Sequence, residues 1–308
     1  MNLSKFNSKY KTEISENTAE LDFLSKKIGD EGLKFLCTVK FKKLEQLLLE
    51  ENSIQNIDCL AKNNFGKNLI ALDLSTNKIT NISVLAKVNF PSLHHLFLNS
   101  NQISSIDVLA NVNFPDLKEL NLSANKIESI KFLESAKFPQ LRQLDLSRNQ
   151  ISDINSLGKA KFISLEELSL DQNKISSIDI LLNINCQNLK TLKLEKNNVK
   201  NIDILEKIDF KKLNYLSIGD DTLGEKVDIL KKIKFGELED LYLYLNDNID
   251  REKDNIQSIV NYFEDKGVTF HFISCDDDND IGGDNEDFPD AKKDDLAGFG
   301  ALLDSEIF

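Results

Sequence analysis

The side chains able to do chemistry are few, and their spacing suits none of the common centres. Three histidines occur, His94, His95 and His271. His94 and His95 are adjacent, and successive strand residues point to opposite faces, so the pair does not converge on one metal ion. The four cysteines (Cys37, Cys59, Cys186, Cys275) stand far apart without metal-ligand spacing, which also argues against a disulfide framework. There is no nucleophile elbow and no glycine-rich phosphate loop. Asp276, Asp278 and Asp280 imitate the opening of a calcium loop, but Ile281 stands where the turn needs Gly and Asp287 where Glu belongs. The chain therefore reads as a non-enzyme with no metal and no cofactor, whose chemistry is recognition.

What the sequence does repeat is structural. From Leu93 the apolar positions run Leu93, Leu96 and Leu98, then Ile103, Ile106 and Leu109 beyond Asn101, and close on Phe114. The first group alternates like a short strand, and the second steps by three as a 3₁₀ or helical turn does. Moved by 24 residues, the set returns as Leu117, Leu120, Leu122, Asn125, Ile127, Ile130, Leu133 and Phe138. A fixed period of this length marks a repeat array. Units begin at Leu44, Leu69, Leu93, Leu117, Leu141, Leu165, Leu189 and Leu213, and a ninth starts at Leu238.

Two columns follow from the period. Asparagines recur at 52, 77, 101, 125, 149, 173 and 197, where the strand bends and backbone groups lose their strand partners. An amide side chain both donates and accepts, so it can satisfy them and link one turn to the next. Repeat eight has Asp221 there, with Gly219 and an extra residue nearby, which predicts a local irregularity. Phenylalanines recur at 41, 65, 90, 114, 138, 162, 210 and 235, with Cys186 in the gap as a small buried hydrophobe.

Together these columns resemble the leucine-rich repeat L-x-x-L-x-L-x-x-N-x-I-x-x-I-x-x-L over roughly Leu33 to Leu245. The continuation Asn149-Gln150-Ile151-Ser152-Asp153-Ile154-Asn155-Ser156-Leu157 is similar to the class of the nuclear regulatory subunit of type-1 protein phosphatase and to bacterial internalins. The resemblance implies an α/β, right-handed curved solenoid with a parallel β-sheet on the concave face and short helices or 3₁₀ turns on the convex one.

The ends need caps, because a terminal repeat otherwise leaves a hydrophobic layer open to water. Residues 1–16 are polar and aperiodic, a loose N-terminus. Residues 17–43 read as a helical cap plus a half-repeat, with Leu21, Leu24 and Ile28 on one helix face and Gly29–Gly32 as its stop. Nine repeats fill 44–248. A C-terminal cap over 249–275 follows, with a helix started by Asp250 and a strand carrying Phe270 and Phe272 in the leucine-pair positions. Residues 276–308 hold twelve Asp and Glu against Lys292 and Lys293, so ten of the thirteen net negative charges belong to this segment. Its composition predicts disorder.

Negative charge argues against nucleic acid or an anionic membrane as partner. The N-terminal residues lack a secretory h-region and the apolar runs are too short to cross a bilayer. The expected setting is intracellular, in the cytoplasm, or alternatively the nucleus or a cytoskeletal or ciliary assembly. On the concave face the framework does not call for His95, Phe97, Tyr215, Tyr242 or Tyr244, and exposed aromatics on a rigid sheet are typical interface anchors. Arg142, Arg148, Lys190, Lys193 and Lys196 add a basic stretch between them. In the acidic segment Phe288, Leu296, Phe299, Leu302 and Leu303 alternate with acids, the composition of a linear motif that folds onto a partner's groove. The expected function is an interaction scaffold for one or more protein partners in a larger assembly, with no small-molecule substrate. The alternatives are a regulatory subunit of an enzyme such as a phosphatase, suggested by the repeat class, and an acidic chaperone of basic proteins.

Overall fold

A paired leucine motif repeated at constant period can hide its leucines only if each strand lies beside the one before it. The computed structural model describes residues 1–184, 187–220, 224–245 and 254–274, and it has that architecture. The strands are β1 (Glu20–Asp22), β2 (Gln46–Leu48), β3 (Ala71–Asp73), β4 (His95–Phe97) and β5 (Glu119–Asn121). Then come β6 (Gln143–Asp145), β7 (Glu167–Ser169), β8 (Thr191–Lys193), β9 (Asp209–Phe210) and β10 (Tyr215–Asp220). Last are β11 (Lys234–Phe235), β12 (Asp240–Leu245) and β13 (Thr269–Ser274). All but β9 and β11 form one 11-stranded sheet in chain order, and every pairing in it is parallel. The short β9 and β11 pair with each other on the other side of the array.

Register is set by burial. Leu72, Leu96, Leu120, Leu144, Leu168, Leu192 and Leu216 lie opposite one another and are buried. A one-residue slip would turn the whole column to the opposite face. Across the core from the strands, the chain makes 3₁₀ turns such as Ser83–Lys87, Asp107–Asn111 and Asn155–Lys159. The isoleucine–isoleucine–leucine spacing of three brings Ile103, Ile106 and Leu109 to the same interior, and all three are buried. The phenylalanine column forms the expected spine, with ring centroids 6.2 Å apart in the Phe41–Phe65, Phe90–Phe114 and Phe210–Phe235 pairs.

The N-terminal expectations need correction. Residues 1–16 contain a helix, α1 (Leu3–Tyr10), capped by the Asn2 side chain, which accepts from the Lys5 N–H. Phe6 is fully buried against Tyr10, Phe23 and Phe35, so four residues of spacing carry an apolar contact that composition concealed. The stretch from Thr18 is no helix: β1 extends the sheet by pairing with β2, Leu21 is buried, and Leu24 is exposed. The free edge of β2 needs a partner, and that requirement overrides helical spacing. Gly29 opens the helix α2 (Gly29–Thr38) rather than ending one, in a left-handed conformation of φ 56°.

At the other end, α3 (Asp254–Glu264) packs Ile256, Ile259 and Phe263 into the core. Strand β13 sets Phe270 beside Leu241 and Phe272 beside Leu243, as the leucine-pair reading expects. Repeat eight has its irregularity: Gly219 lies at φ 114°, so close to Tyr244 that a Cβ there would stand 2.1 Å from the Tyr244 carbonyl oxygen. Cys186, Asp221, Asp250, Cys275 and all of 276–308, with Phe288, Leu296, Phe299, Leu302 and Leu303, lie outside the described residues.

Candidate functional site

The asparagine column builds the rim from which the open face extends. The Asn101 side chain accepts from the Ile79 N–H at 2.9 Å. It donates to the Leu74 carbonyl of the previous repeat at 2.9 Å and to the Leu98 and Asn99 carbonyls of its own at 3.1 Å. Asn125, Asn149, Asn173 and Asn197 repeat the arrangement. The residue before each of them, and before Asn77, is left-handed without being glycine: Thr76, Ser100, Ala124, Arg148, Gln172 and Lys196, at φ of 51° to 54°.

Three residues of each repeat face away from the core. From β2 to β12 the first runs Gln46, Ala71, His95, Glu119, Gln143, Glu167, Thr191, Tyr215 and Asp240. The second runs Leu48, Asp73, Phe97, Asn121, Asp145, Ser169, Lys193, Ser217 and Tyr242. The third, two residues on, runs Glu50, Ser75, Asn99, Ser123, Ser147, Asp171, Glu195, Gly219 and Tyr244. These columns hold eight carboxylates, at 50, 73, 119, 145, 167, 171, 195 and 240, and one lysine, Lys193.

Some of the acids have a framework role that sequence reasoning missed. Asp73 accepts from both the N–H and the hydroxyl of Ser75, at 2.8 and 2.6 Å. Asn121 accepts from Ser123 in the same way, and Asp145 accepts from the Ser147 N–H at 2.9 Å. The signal was present as Asx-Leu-Ser, a local cap of the strand's end. Burial pushes the carboxyls of Asp73 and Asp145 upward, and these bonds oppose it.

The next repeat inverts that pair to Ser169-Leu170-Asp171. Asp171 is only 8% exposed, and its carboxyl accepts from nothing but its own backbone N–H among the described residues. Burial, with Glu195 and Asp145 nearby, holds its pKa up to about 8. Glu195, also raised by burial, accepts from the Ser217 hydroxyl.

The aromatic candidates fall into two groups, and a residue outside them joins the second. His95 stacks on Phe97 with centroids 6.2 Å apart, and its Nδ1 lies 2.9 Å from Glu119 Oε2. At the other end Tyr215 stacks on Tyr242 at 5.0 Å, and Tyr242 on His271 at 4.1 Å with the rings nearly parallel. His271 Nε2 lies 3.5 Å from Asp240 Oδ1. The alternation of 268–272 was the signal that could have placed His271 in this row. Burial, and secondarily Glu195, raises the Tyr215 hydroxyl's pKa.

Tyr244 is not an exposed anchor: it is 4% exposed, and the Lys196 ammonium lies 6.0 Å from its ring centre. Lys193 is in the face, 5.7 Å from the Tyr215 ring. Arg142 is exposed but stands one residue ahead of β6, outside the three columns. The basic stretch is thus split, since Lys190 pairs with Glu166 at 2.8 Å. Elsewhere, Cys37 and Cys59 come together as free thiols 3.3 Å apart, and the hydrogen bond between them raises Cys37 and lowers Cys59.

Comparison with known proteins agrees with this geometry. A family model described as leucine rich repeat matches residues 91–151, and a second, of two leucine rich repeats, matches 139–183. Residues 91–183 are accordingly leucine-rich repeats. Internalin C2 from Listeria monocytogenes is similar over 69% of this chain and 90% of its own, with 24% identity and a TM-score of 0.55. The leucine-rich repeats of this chain are accordingly internalin-like in fold. The solved structure of PEPR1-AtPEP1 is similar over 77% of this chain and 32% of its own, with 19% identity and a TM-score of 0.51. No curated protein matches the chain in sequence. The leucine-rich-repeat fold is one commonly used for protein–protein interaction, and its members are generally non-enzymatic. No helix among the described residues is long and apolar enough to cross a membrane.

Proposed function

We propose that the chain is a non-enzymatic scaffold that holds a protein partner against the open face of its leucine-rich-repeat sheet. The observation that carries this reading is the stacked row Tyr215–Tyr242–His271, half-buried on the open face of three adjacent strands. Rings already stacked across neighbouring strands lose little freedom when a partner covers them, and aromatic anchors dominate interface energies. His95 and Phe97 form a second anchor on the same sheet. The acidic segment with Phe288, Leu296, Phe299, Leu302 and Leu303 serves as a second contact in the same assembly, and the setting is intracellular.

The test is affinity capture with the full chain and with a variant carrying His95→Ala, Phe97→Ala, Tyr215→Ala and Tyr242→Ala, followed by mass spectrometry. These rings face outward, so the variant keeps the fold. Loss of specific partners is the expected result; an identical set of captured proteins overturns the assignment of the open face.

A further inference from the structure

Eight carboxylates against one lysine on a face that the core does not constrain is a strong charge bias, and three of the acids, Asp145, Asp171 and Glu195, gather in repeats five to seven. Solubility does not account for them, because Asp171 and Glu195 are 8% and 7% exposed. The framework does not ask for them either: three of the equivalent positions are Ser75, Ser123 and Ser147, each two residues after an acceptor that uses it. Inverting that pair at Asp171 leaves a buried carboxyl without a donor from any other residue described, the arrangement that most needs an external one. Among the described residues no three His, Cys, Asp or Glu converge to hold a metal ion. The protein's own Lys193 lies over Tyr215 beside the three acids, so a cation already occupies part of this surface.

We propose that the open face from β6 to β13 seats a basic segment of the protein partner, with lysine or arginine side chains placed between the Asp171 and Glu195 carboxylates and the Tyr215–Tyr242–His271 stack. The inference rests on the interaction reading above and names the partner's chemistry. Carboxylates supply paired acceptors for a guanidinium or ammonium, and the flat rings supply the face on which it stacks. Seating the cation requires Asp171 to be ionised, and burial with the neighbouring Glu195 and Asp145 holds its pKa near 8. The charged and titratable groups that face it are Asp145, Lys193, Glu195 and Tyr215. Association therefore expels a proton at neutral pH and tightens as pH rises toward 8.

Fluorescence anisotropy of the full chain with a labelled peptide of alternating arginine and serine tests this, beside the same peptide with citrulline for arginine. Asp171→Asn with Glu195→Gln is the variant; it removes buried charge without changing shape, and thermal melts check its fold. The 276–308 segment attracts the peptide equally in both proteins, so their difference reports the face. The expected result is binding at least about tenfold weaker in the variant, since a truncated partner of a buried charge pair loses that much or more. The wild-type affinity should rise several-fold from pH 6.5 to 8.5, and that of Asp171→Asn alone should rise less. Equal affinities for variant and wild type, or for the arginine and citrulline peptides, overturn the proposal. If the aromatic variant loses its partners while the acid variant binds peptide normally, the scaffold reading survives and the basic partner does not.

Discussion

Asn125 shows how one residue type can do the same work in every turn. Its carbonyl accepts from the Ile103 N–H, and its amide donates to Leu98, Leu122 and Ser123. Aspartate or alanine cannot do both. Asn125→Ala leaves several backbone groups of two repeats buried without partners, at a cost of on the order of 1–3 kcal/mol for each one not reached by water. A urea titration should show a lowered midpoint, and Asn125→Asp should recover little of it. This role was legible in the sequence because the column recurs and the bend has a known need. The outward columns were only partly legible. His95, Phe97, Tyr215 and Tyr242 stood out by bulk, which survives any small error in register. Tyr244 looked equivalent yet is buried, and Asp171 looked like any surface acid, because exposure depends on neighbours 24 residues away rather than on the residue itself.

At the scale of elements, the nine-fold repetition made strands and turns readable, whereas each cap occurs once and offers no second copy to check against. Apart from Leu3 at its start, α1 is polar except for its two buried aromatics, so its helical period rests on Phe6 and Tyr10. β1 has three residues, too few for alternation to register against the leucines around it. The left-handed residue before each asparagine was also invisible, because Ser, Ala, Arg, Gln and Lys carry no sign of positive φ. What fixes these pieces is packing on the first repeat. Phe6 touches Tyr10, Phe23 and Phe35, which joins α1, the residue after β1, and α2. Phe6→Ala should therefore destabilise the cap by about 3–5 kcal/mol. Hydrogen exchange is expected to accelerate from Leu3 through Thr38 with little change beyond β4; uniform acceleration along the chain would show that the cap and the array are one cooperative unit.

For the array as a whole, each repeat touches only its neighbours, so a fault at one junction stays near that junction unless the repeats beyond it are too few to stand alone. Gly219 is the sharpest such junction. Its φ of 114° suits glycine, and a Cβ would sit 2.1 Å from the carbonyl oxygen of Tyr244 on the paired strand. Backbone cannot yield as a flexible side chain does, so Gly219→Ala forces β10 and β12 apart. Beyond that junction the described residues hold β12, α3 and β13, a fragment whose core is shared with repeat eight through Val227, Leu230 and Ile233. Amides of 240–245 and 269–274 should lose protection by hydrogen exchange while those of β3 to β7 keep theirs. The Tyr215–Tyr242–His271 row spans the same junction, so the substitution should also remove partner binding from a protein whose N-terminal repeats remain folded. That pairing of outcomes separates a face assembled across repeats from one carried by any single repeat: if protection is lost at 240–274 and binding persists, the anchor lies nearer His95 and Phe97.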